Sequence, residues 1–151
     1  NSGNVDIVKR IQDSERYIDS DFMVLYGDTI SNINIHDLIT FHNTNDQPAT
    51  MAIWPMPSQF GLVNLDNDGN VLGFKEKPKL DKWINIGYFY FKHEMIDMIK
   101  KYDSYADLLG DMAKQQILNA YKHDGIHITV NTLRELSEAE KNIERIGVGK
   151  R

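Results

Sequence analysis

The chain has 151 residues, enough for one domain with a buried core, and its composition is that of a soluble globular protein. Its formal net charge of -5 argues against a nucleic-acid-binding surface, and the lack of cysteine excludes disulfides, thiolate metal sites and cysteine nucleophiles. No apolar stretch approaches the roughly 20 residues that cross a bilayer, and no secretory signal is visible, so we expect a cytoplasmic protein with neither nucleic acid nor membrane as partner.

The first part of the chain predicts one buried strand and one helix. Residues 5–18 are mixed and polar, which favours a strand and a turn. The continuous apolar run 22–26, closed by Gly27, predicts a strand buried on both faces, as in a parallel sheet. Asn34 can cap a helix that runs to about His42, with apolar positions recurring on one face at helical spacing.

The middle of the chain predicts strands and one hairpin. Pro55 and Pro57 should end a buried strand, because proline cannot donate a hydrogen bond within a sheet. The segment Asp66-Asn67-Asp68-Gly69 lies between two apolar runs, which is a strong hairpin signal. The expected strands in this part are 49–54, 62–65, 71–74 and 84–91.

The last part of the chain predicts alternating helices and strands. Helices are expected at 94–101 and 107–116, and strands at 117–121 and 126–130. Thr132 and Glu135 have the spacing of a capping box before a last helix, whose apolar stripe runs from Leu133 to Ile146. Strands that alternate with helices, together with one hairpin, imply an α/β domain with a mixed sheet.

Asp28 is the first candidate for chemistry, because it follows the first apolar strand on a glycine-containing turn. Ligands of open α/β sheets bind outside the carboxyl ends of the strands. Magnesium takes oxygen ligands, usually one or two carboxylates plus substrate phosphates. Asp28 is therefore a candidate ligand for Mg²⁺, and the alternative is that it only caps a turn, as Gly-Asp commonly does.

The segment Glu76-Lys77-Pro78 is the second candidate. Pro78 should bias Lys77 toward an extended backbone and so hold the two charged side chains in a defined direction. A lysine ammonium can bind a phosphate, and a glutamate can accept hydrogen bonds from sugar hydroxyls. The alternative is a solvated hairpin tip.

Asn85 and Gly87 are the third candidate. An asparagine within an apolar strand must be satisfied by backbone or by a ligand, because burying an unpaired amide is costly. A glycine within a strand indicates close approach by a ligand or by another backbone, and Gly61 has the same ambiguity. The alternative is a satisfied core amide next to a bulge.

Taken in this order, the motifs resemble the sugar-1-phosphate nucleotidyltransferases, and most of all their glucose-1-phosphate cytidylyltransferase branch. The stretches that carry the resemblance are 22–28, 60–61, 74–78, 83–87 and 131–135. The resemblance implies a Rossmann-like nucleotidyltransferase domain with a mixed, mostly parallel sheet and a β-hairpin. It also implies a homo-oligomer whose partners are a nucleoside triphosphate and a sugar phosphate.

The resemblance further implies roles for single residues. Asp28 and Lys77 would be catalytic, with Asp28 holding Mg²⁺ and Lys77 binding the sugar phosphate. Asn131 falls where the family usually has the second metal-binding aspartate. The substrate-binding residues would be Gly61, Glu76, Lys77, Asn85 and Gly87.

The resemblance begins near Ile7 and includes neither the glycine-rich phosphate loop nor the second lysine segment of the family. We therefore expect residues 1–151 to be the C-terminal, acceptor part of a nucleotidyltransferase domain, incomplete on its own and lacking the N-terminal nucleotide-binding portion. The expected reaction transfers a nucleotidyl group, with CTP as one candidate donor, to a sugar 1-phosphate and releases pyrophosphate. The alternative is a non-catalytic sugar-phosphate-binding or scaffold module, which the neutral Asn131 favours.

Overall fold

A computed structural model describes residues 5–146, with side chains described at all of these positions except 138 and 144–146. The helices are α1 Ile7–Ser14, α2 Ile35–Asn45, α3 Met95–Ile99, α4 Tyr105–Lys114 and α5 Leu133–Ile146, and a 3₁₀ turn covers Glu15–Tyr17. The strands are β1 Phe22–Leu25, β2 Thr29–Ser31, β3 Ala49–Pro57, β4 Leu62–Leu65, β5 Val71–Lys75, β6 Lys79–Phe91, β7 Leu118–Lys122 and β8 His127–Thr129. None of the helices within residues 5–146 has the length and apolar character needed to span a bilayer.

Four of the described strands form the main sheet in the order β1-β6-β3-β7. Strand β6 pairs antiparallel with both β1 and β3, and β3 pairs parallel with β7. The mixed α/β architecture is therefore confirmed. Among the described strands, however, one of the three pairings is parallel, so this part of the sheet is not mostly parallel as expected.

The main sheet is covered by helices on both faces. On one face, Phe89 and Phe91 of β6 pack into a core cluster with side chains from α1, α3 and α4. On the other face, Ile86 packs with Leu38 of α2. Because side chains alternate along a strand, β6 supplies both cores and is the strand on which the three layers meet.

The expectation of a strand and a turn at residues 5–18 is wrong, because helix α1 occupies this segment. The Asp6 carboxylate caps the helix by accepting a hydrogen bond from the Val8 N–H at 2.9 Å. Val8 and Ile11, three residues apart, are buried in the core. The polar residues between them face outward. The segment therefore looks mixed in sequence, and its helical spacing of apolar residues is not obvious.

The expectation that residues 22–26 form a strand buried on both faces of a parallel sheet is also wrong. Within the described residues β1 pairs with β6 alone, and it does so antiparallel. Leu25 is 55% exposed. An apolar run does not distinguish a central parallel strand from an edge strand that packs on helices.

The two prolines do not end β3, which continues through Pro57. The pairing of β3 with β7 runs only from Ala49 to Ile53, and beyond it β3 pairs with β6 alone. Pro55 and Pro57 therefore lie where β3 has become an edge strand, and there a missing N–H is tolerated.

Local hydrogen bonds confirm the predicted helix starts. The Asn34 side chain accepts from the His36 N–H at 3.0 Å and begins α2. Thr132 and Glu135 form the predicted capping box of α5, with the Glu135 N–H donating to the Thr132 hydroxyl at 3.2 Å. The predicted hairpin is present as β4 and β5.

The buried imidazole of His42 predicts that stability falls as the pH drops below about 6.5. Its Nδ1 lies 2.9 Å from the Thr50 hydroxyl, and burial lowers the pKa of His42 from its ordinary value of 6.5. The unfolded chain therefore takes up a proton on His42 more readily than the folded one. The contribution of neutral His42 to the free energy of unfolding is complete above pH 6.5 and is lost as the pH falls through the pKa of the folded state. Urea unfolding of the full-length protein at several pH values measures this loss.

The His42→Gln variant should lose less stability than the wild type between pH 7.5 and pH 5.5, since glutamine has no titrating ring. His36→Gln, on the exposed side of the same helix, is the matched control and should retain the wild-type pH dependence. Equal pH dependence for all three proteins would show that His42 does not contribute.

Candidate active site

The short ribbon formed by β2 and β8 brings Asp28 and Asn131 to the same end of two paired strands. The two strands are antiparallel, with Thr29 opposite Thr129, and the Val130 N–H donates to the Asp28 carbonyl at 2.7 Å. Asp28 is exposed and Asn131 is exposed. Strand β2 had no signal of its own in the sequence, so this proximity was not derivable from local patterns.

The start of helix α5 holds the backbone of Asn131 in place. The Asn131 N–H donates to Glu135 Oε2 at 2.8 Å, and the Thr132 hydroxyl donates to the same oxygen at 3.0 Å. These hydrogen bonds hold the pKa of the Glu135 carboxyl below its usual value. The Glu135 carboxylate is therefore engaged in the cap.

The oxygen atoms at this end of the ribbon suit a magnesium ion that takes its other ligands from substrate phosphates and water. Among the residues whose side chains the structure describes, no group of three or more histidines, cysteines, aspartates or glutamates could hold a metal. Asp28 offers one carboxylate and Asn131 one neutral amide oxygen. Magnesium bound by so few protein groups takes its remaining ligands from substrate phosphates and water.

The middle of β6 departs from regular pairing at Gly87. Between the pairs Met51–Phe89 and Ile53–Asn85, β3 advances by two residues while β6 advances by four. Gly87 has a φ of +77°. A Cβ added there would lie 2.5 Å from the Cγ atom of Tyr26, so no other residue fits at this position.

The bulge at Gly87 orients the side chain of Asn85. The Gly87 N–H donates to Asn85 Oδ1 at 2.8 Å, and Asn85 Nδ2 donates to the Tyr26 hydroxyl at 3.3 Å. Asn85 is exposed. Its amide is thus held by the protein while one face remains open to solvent, and it is not a core group.

Gly61 and Glu76 form a second group, at the base of the hairpin. A Cβ added at Gly61 would lie 2.5 Å from the ring of Phe74 and 3.0 Å from Glu76 Oε2. The glycine therefore lets the carboxylate and the ring approach the backbone closely. No hydrogen bond or ion pair joins this group to Asp28 or Asn85 among the described residues.

Lys77 does not have the extended backbone that the following proline predicted. Its φ is +41°, in the left-handed region. The Pro78 carbonyl accepts a hydrogen bond from the Ser58 N–H at 2.8 Å, which ties the turn to the end of β3. This tie and the reversal between β5 and β6 override the local preference, and the Lys77 side chain is exposed.

Tyr26 belongs to the stretch 22–28 that carries the resemblance, but the sequence assigned it no role, and the structure places it against Asn85. Its N–H donates to the Gly87 carbonyl at 2.9 Å, and its hydroxyl accepts from Asn85. Burial, together with the Asp28 carboxylate, raises the pKa of Tyr26, although the hydrogen bond from Asn85 opposes this. The one available signal was an aromatic residue directly before Gly27-Asp28.

A cavity of about 770 Å³ lies between α1 and β1 and reaches Tyr26, Gly27 and Asp28. Apolar side chains of both elements form most of its wall. Of the predicted site residues, Asp28 alone lines it within the described part of the chain. The cavity therefore adjoins Asp28 and not the hairpin group.

Comparison of the sequence with models of protein families identifies the family of this chain. The sequence model of the family described as Nucleotidyl transferase matches residues 3–139. The chain belongs to this family. The match includes Asp28, the hairpin group, the bulge of β6 and Asn131, so all the predicted site residues lie within it.

The relatives of this nucleotidyl transferase chain are named for the transfer of different nucleotidyl groups. It is 33% identical to a Bacillus subtilis protein named "Probable glucose-1-phosphate cytidylyltransferase", over 87% of the chain and 53% of the relative. It is 32% identical to the glucose-1-phosphate cytidylyltransferase of Salmonella typhimurium, over 83% of the chain and 51% of the relative. A glucose-1-phosphate adenylyltransferase of Clostridium acetobutylicum is 28% identical, over 85% of the chain and 38% of the relative. The chain spans about half the length of the two cytidylyltransferases.

Solved structures share the fold at lower sequence identity. A Bacillus anthracis protein assigned as a glucose-1-phosphate thymidylyltransferase, solved with a sucrose, has a TM-score of 0.72 at 18% identity, covering 99% of this chain and 65% of its own. HddC from Yersinia pseudotuberculosis has a TM-score of 0.65 at 18% identity, covering 95% and 64%. These structures thus share the α/β fold over 99% and 95% of the nucleotidyl transferase chain.

The position of Asn131 predicts that Asn131→Asp tightens magnesium binding. A second carboxylate near Asp28 adds an attractive charge, and we expect the Kd for Mg²⁺ to fall on the order of tenfold. Isothermal titration calorimetry of the full-length protein with MgCl₂ measures it. Asn43→Asp, which adds the same charge on the exposed side of α2, is the control and should leave the Kd unchanged. Equal affinities for all three proteins would show that Asn131 does not face the metal.

Proposed function

We propose that this chain forms the acceptor part of a sugar-1-phosphate nucleotidyltransferase. The reaction transfers a nucleotidyl group from a nucleoside triphosphate to a sugar 1-phosphate and yields a nucleoside-diphosphate sugar and pyrophosphate. In this proposal residues 1–151 belong to one domain and represent its C-terminal part. A cytoplasmic location is part of the same prediction.

The observation that carries the proposal is the arrangement around the Gly87 bulge. It sets the oriented amide of Asn85 beside Tyr26, and the turn that follows Tyr26 carries the exposed Asp28. A polar group oriented for a hydroxyl-rich ligand thus contacts the tyrosine that lies two residues before a carboxylate suited to a metal that binds phosphate. Membership of the nucleotidyl transferase family supports this interpretation.

The chemistry requires positioning and charge neutralisation. An oxygen of the sugar phosphate attacks the α-phosphorus of the triphosphate, a new P–O bond forms, and the bond to the bridging oxygen breaks as pyrophosphate leaves. No covalent protein intermediate is needed. Asp28 and Asn131 would hold Mg²⁺, which supplies neutralisation of phosphate charge when bound.

The hairpin group would bind the sugar phosphate. The exposed Lys77 ammonium makes no ion pair with the described residues, so it is available to a phosphate. Glu76 can accept hydrogen bonds from sugar hydroxyls, and Gly61 leaves space for its carboxylate. Asn85 and Gly87 would line the other side of the sugar pocket.

CTP is the first nucleotide to test, because two relatives at 33% and 32% identity are named cytidylyltransferases. The resemblance to cytidylyltransferases implies glycine, arginine and glycine at three positions where this sequence has Thr29, Gln59 and Ile86. Further relatives include proteins named for uridylyl and adenylyl transfer. We therefore propose nucleotidyl transfer to a sugar 1-phosphate as the reaction class and CTP as the specific nucleotide donor.

A homo-oligomeric state belongs to the same proposal. The hairpin exposes large apolar side chains, including Leu65 at 58%, Leu72 at 69% and Phe74 at 63%. A two-stranded hairpin with so much exposed apolar surface gains stability when another surface covers it. A second copy of the protein is the cover that we expect.

A second candidate function is a binding or scaffold module that has lost catalysis. The neutral Asn131 favours it, because the site then offers one protein carboxylate to the metal. The deciding experiment supplies the full-length protein with Mg²⁺, each nucleoside triphosphate and a panel of sugar 1-phosphates. Pyrophosphate release with any pair supports the enzyme. Sugar-phosphate binding without release from any pair would favour the module.

The exposed ammonium of Lys77 predicts that Lys77→Ala raises the KM for the sugar phosphate. Loss of a charged hydrogen bond to phosphate should raise it by about tenfold or more, with little change in thermal stability. Steady-state kinetics with varied sugar 1-phosphate measures the effect. Lys82→Ala removes another exposed lysine charge, from the strand that follows Lys77, and should behave like the wild type. A KM unchanged in both variants would remove Lys77 from the site.

A further inference from the structure

Tyr26 joins the end of β1 to the bulge of β6. Its N–H donates to the Gly87 carbonyl at 2.9 Å, and its ring occupies the space that a Cβ at Gly87 would need. Two residues later the chain reaches Asp28. One side chain therefore contacts the proposed sugar pocket while its backbone leads into the proposed metal site.

The ring of Tyr26 is held by buried aromatic neighbours. Its centroid lies 5.8 Å from that of Phe89 and 6.5 Å from that of Tyr105. Phe89 is fully buried and Tyr105 is 4% exposed. Neighbours packed this closely restrict the rotamers of Tyr26, so its hydroxyl has a defined position.

That hydroxyl completes the orientation of the Asn85 amide. The Gly87 N–H requires an acceptor, which identifies the atom at 2.8 Å as the Asn85 oxygen and turns the amide nitrogen toward Tyr26. Asn85 Nδ2 then donates one hydrogen to the Tyr26 hydroxyl at 3.3 Å. Its second hydrogen and the remaining lone pair of Oδ1 are left for a ligand.

We propose that Tyr26 is a positioning residue, whose hydroxyl fixes the Asn85 amide in the orientation that recognises a sugar hydroxyl. This inference rests on the proposed function. Without the hydroxyl, the exposed Asn85 side chain keeps one hydrogen bond and gains rotational freedom, which a bound sugar must then remove. The competing explanation is that Tyr26 is only a core aromatic residue whose hydroxyl has no role.

The Tyr26→Phe variant separates these explanations, because it keeps the ring contacts and removes only the hydroxyl. In the full-length protein we expect the KM for the sugar phosphate to rise about three- to tenfold, the size of one lost hydrogen bond. The KM for the nucleotide and the thermal unfolding temperature should not change. Tyr105→Phe is the matched control, since its buried hydroxyl has no partner in the described structure, and it should retain the wild-type KM.

A double-mutant cycle tests whether Tyr26 acts through Asn85. In an Asn85→Ala background, Tyr26→Phe should have no further effect on the KM for the sugar phosphate. Equal effects of Tyr26→Phe in both backgrounds would contradict the inference. An unchanged KM in Tyr26→Phe, with an active wild type, would overturn the inference and leave the proposed function intact.

A measurement that needs no turnover completes the test. The side-chain NH₂ signals of Asn85, assigned by their absence in Asn85→Ala, should exchange with water faster in Tyr26→Phe than in the wild type. Wild-type exchange in the variant would overturn the inference even if no sugar phosphate reacts. Inactivity of the wild type with every substrate pair would count against the proposed function and not against the contact itself.

Discussion

The hydrogen bond from the Tyr26 N–H to the Gly87 carbonyl joins β1 to β6 at the point where β6 leaves its regular pairing with β3. Only a glycine fits at position 87, because its φ is +77° and the ring of Tyr26 takes the space of a Cβ. The turn to Asp28 begins directly after this bond, and Asn85 lies two residues before the glycine. Asp28, the proposed metal ligand, and Asn85, the proposed sugar-pocket amide, are therefore positioned by the same irregularity.

Strand β6 connects this junction to the rest of the candidate site. Glu76 and Lys77 lie just before its first residue, and Asn85 lies at its midpoint. Near its other end, Phe89 and Phe91 are fully buried against helices. One end of the strand is thus rigidly packed while the other carries exposed polar groups. This division allows a stable framework to present side chains that a ligand must reach.

Local patterns predicted the elements whose hydrogen bonds are local. Asn34 and Thr132 cap helices as their sequence spacing indicates, because a side chain and a backbone N–H a few residues apart need no distant partner. Residues 5–18 were misread because two buried apolar positions were too few to reveal a helix. Lys77 departs from the preference set by its proline, since the turn is tied to the end of β3.

The sequence by itself determined the fold class, the resemblance to nucleotidyl transferases and the kinds of side chain available for a metal and a sugar phosphate. Only the tertiary structure decided which of them meet. It pairs β2 with β8 and so brings Asp28 to the end that carries Asn131, and it places Tyr26 against Asn85. The physical reason is that strand register depends on hydrogen bonds between residues far apart in the chain. Composition and periodicity are local properties and do not predict which residues pair.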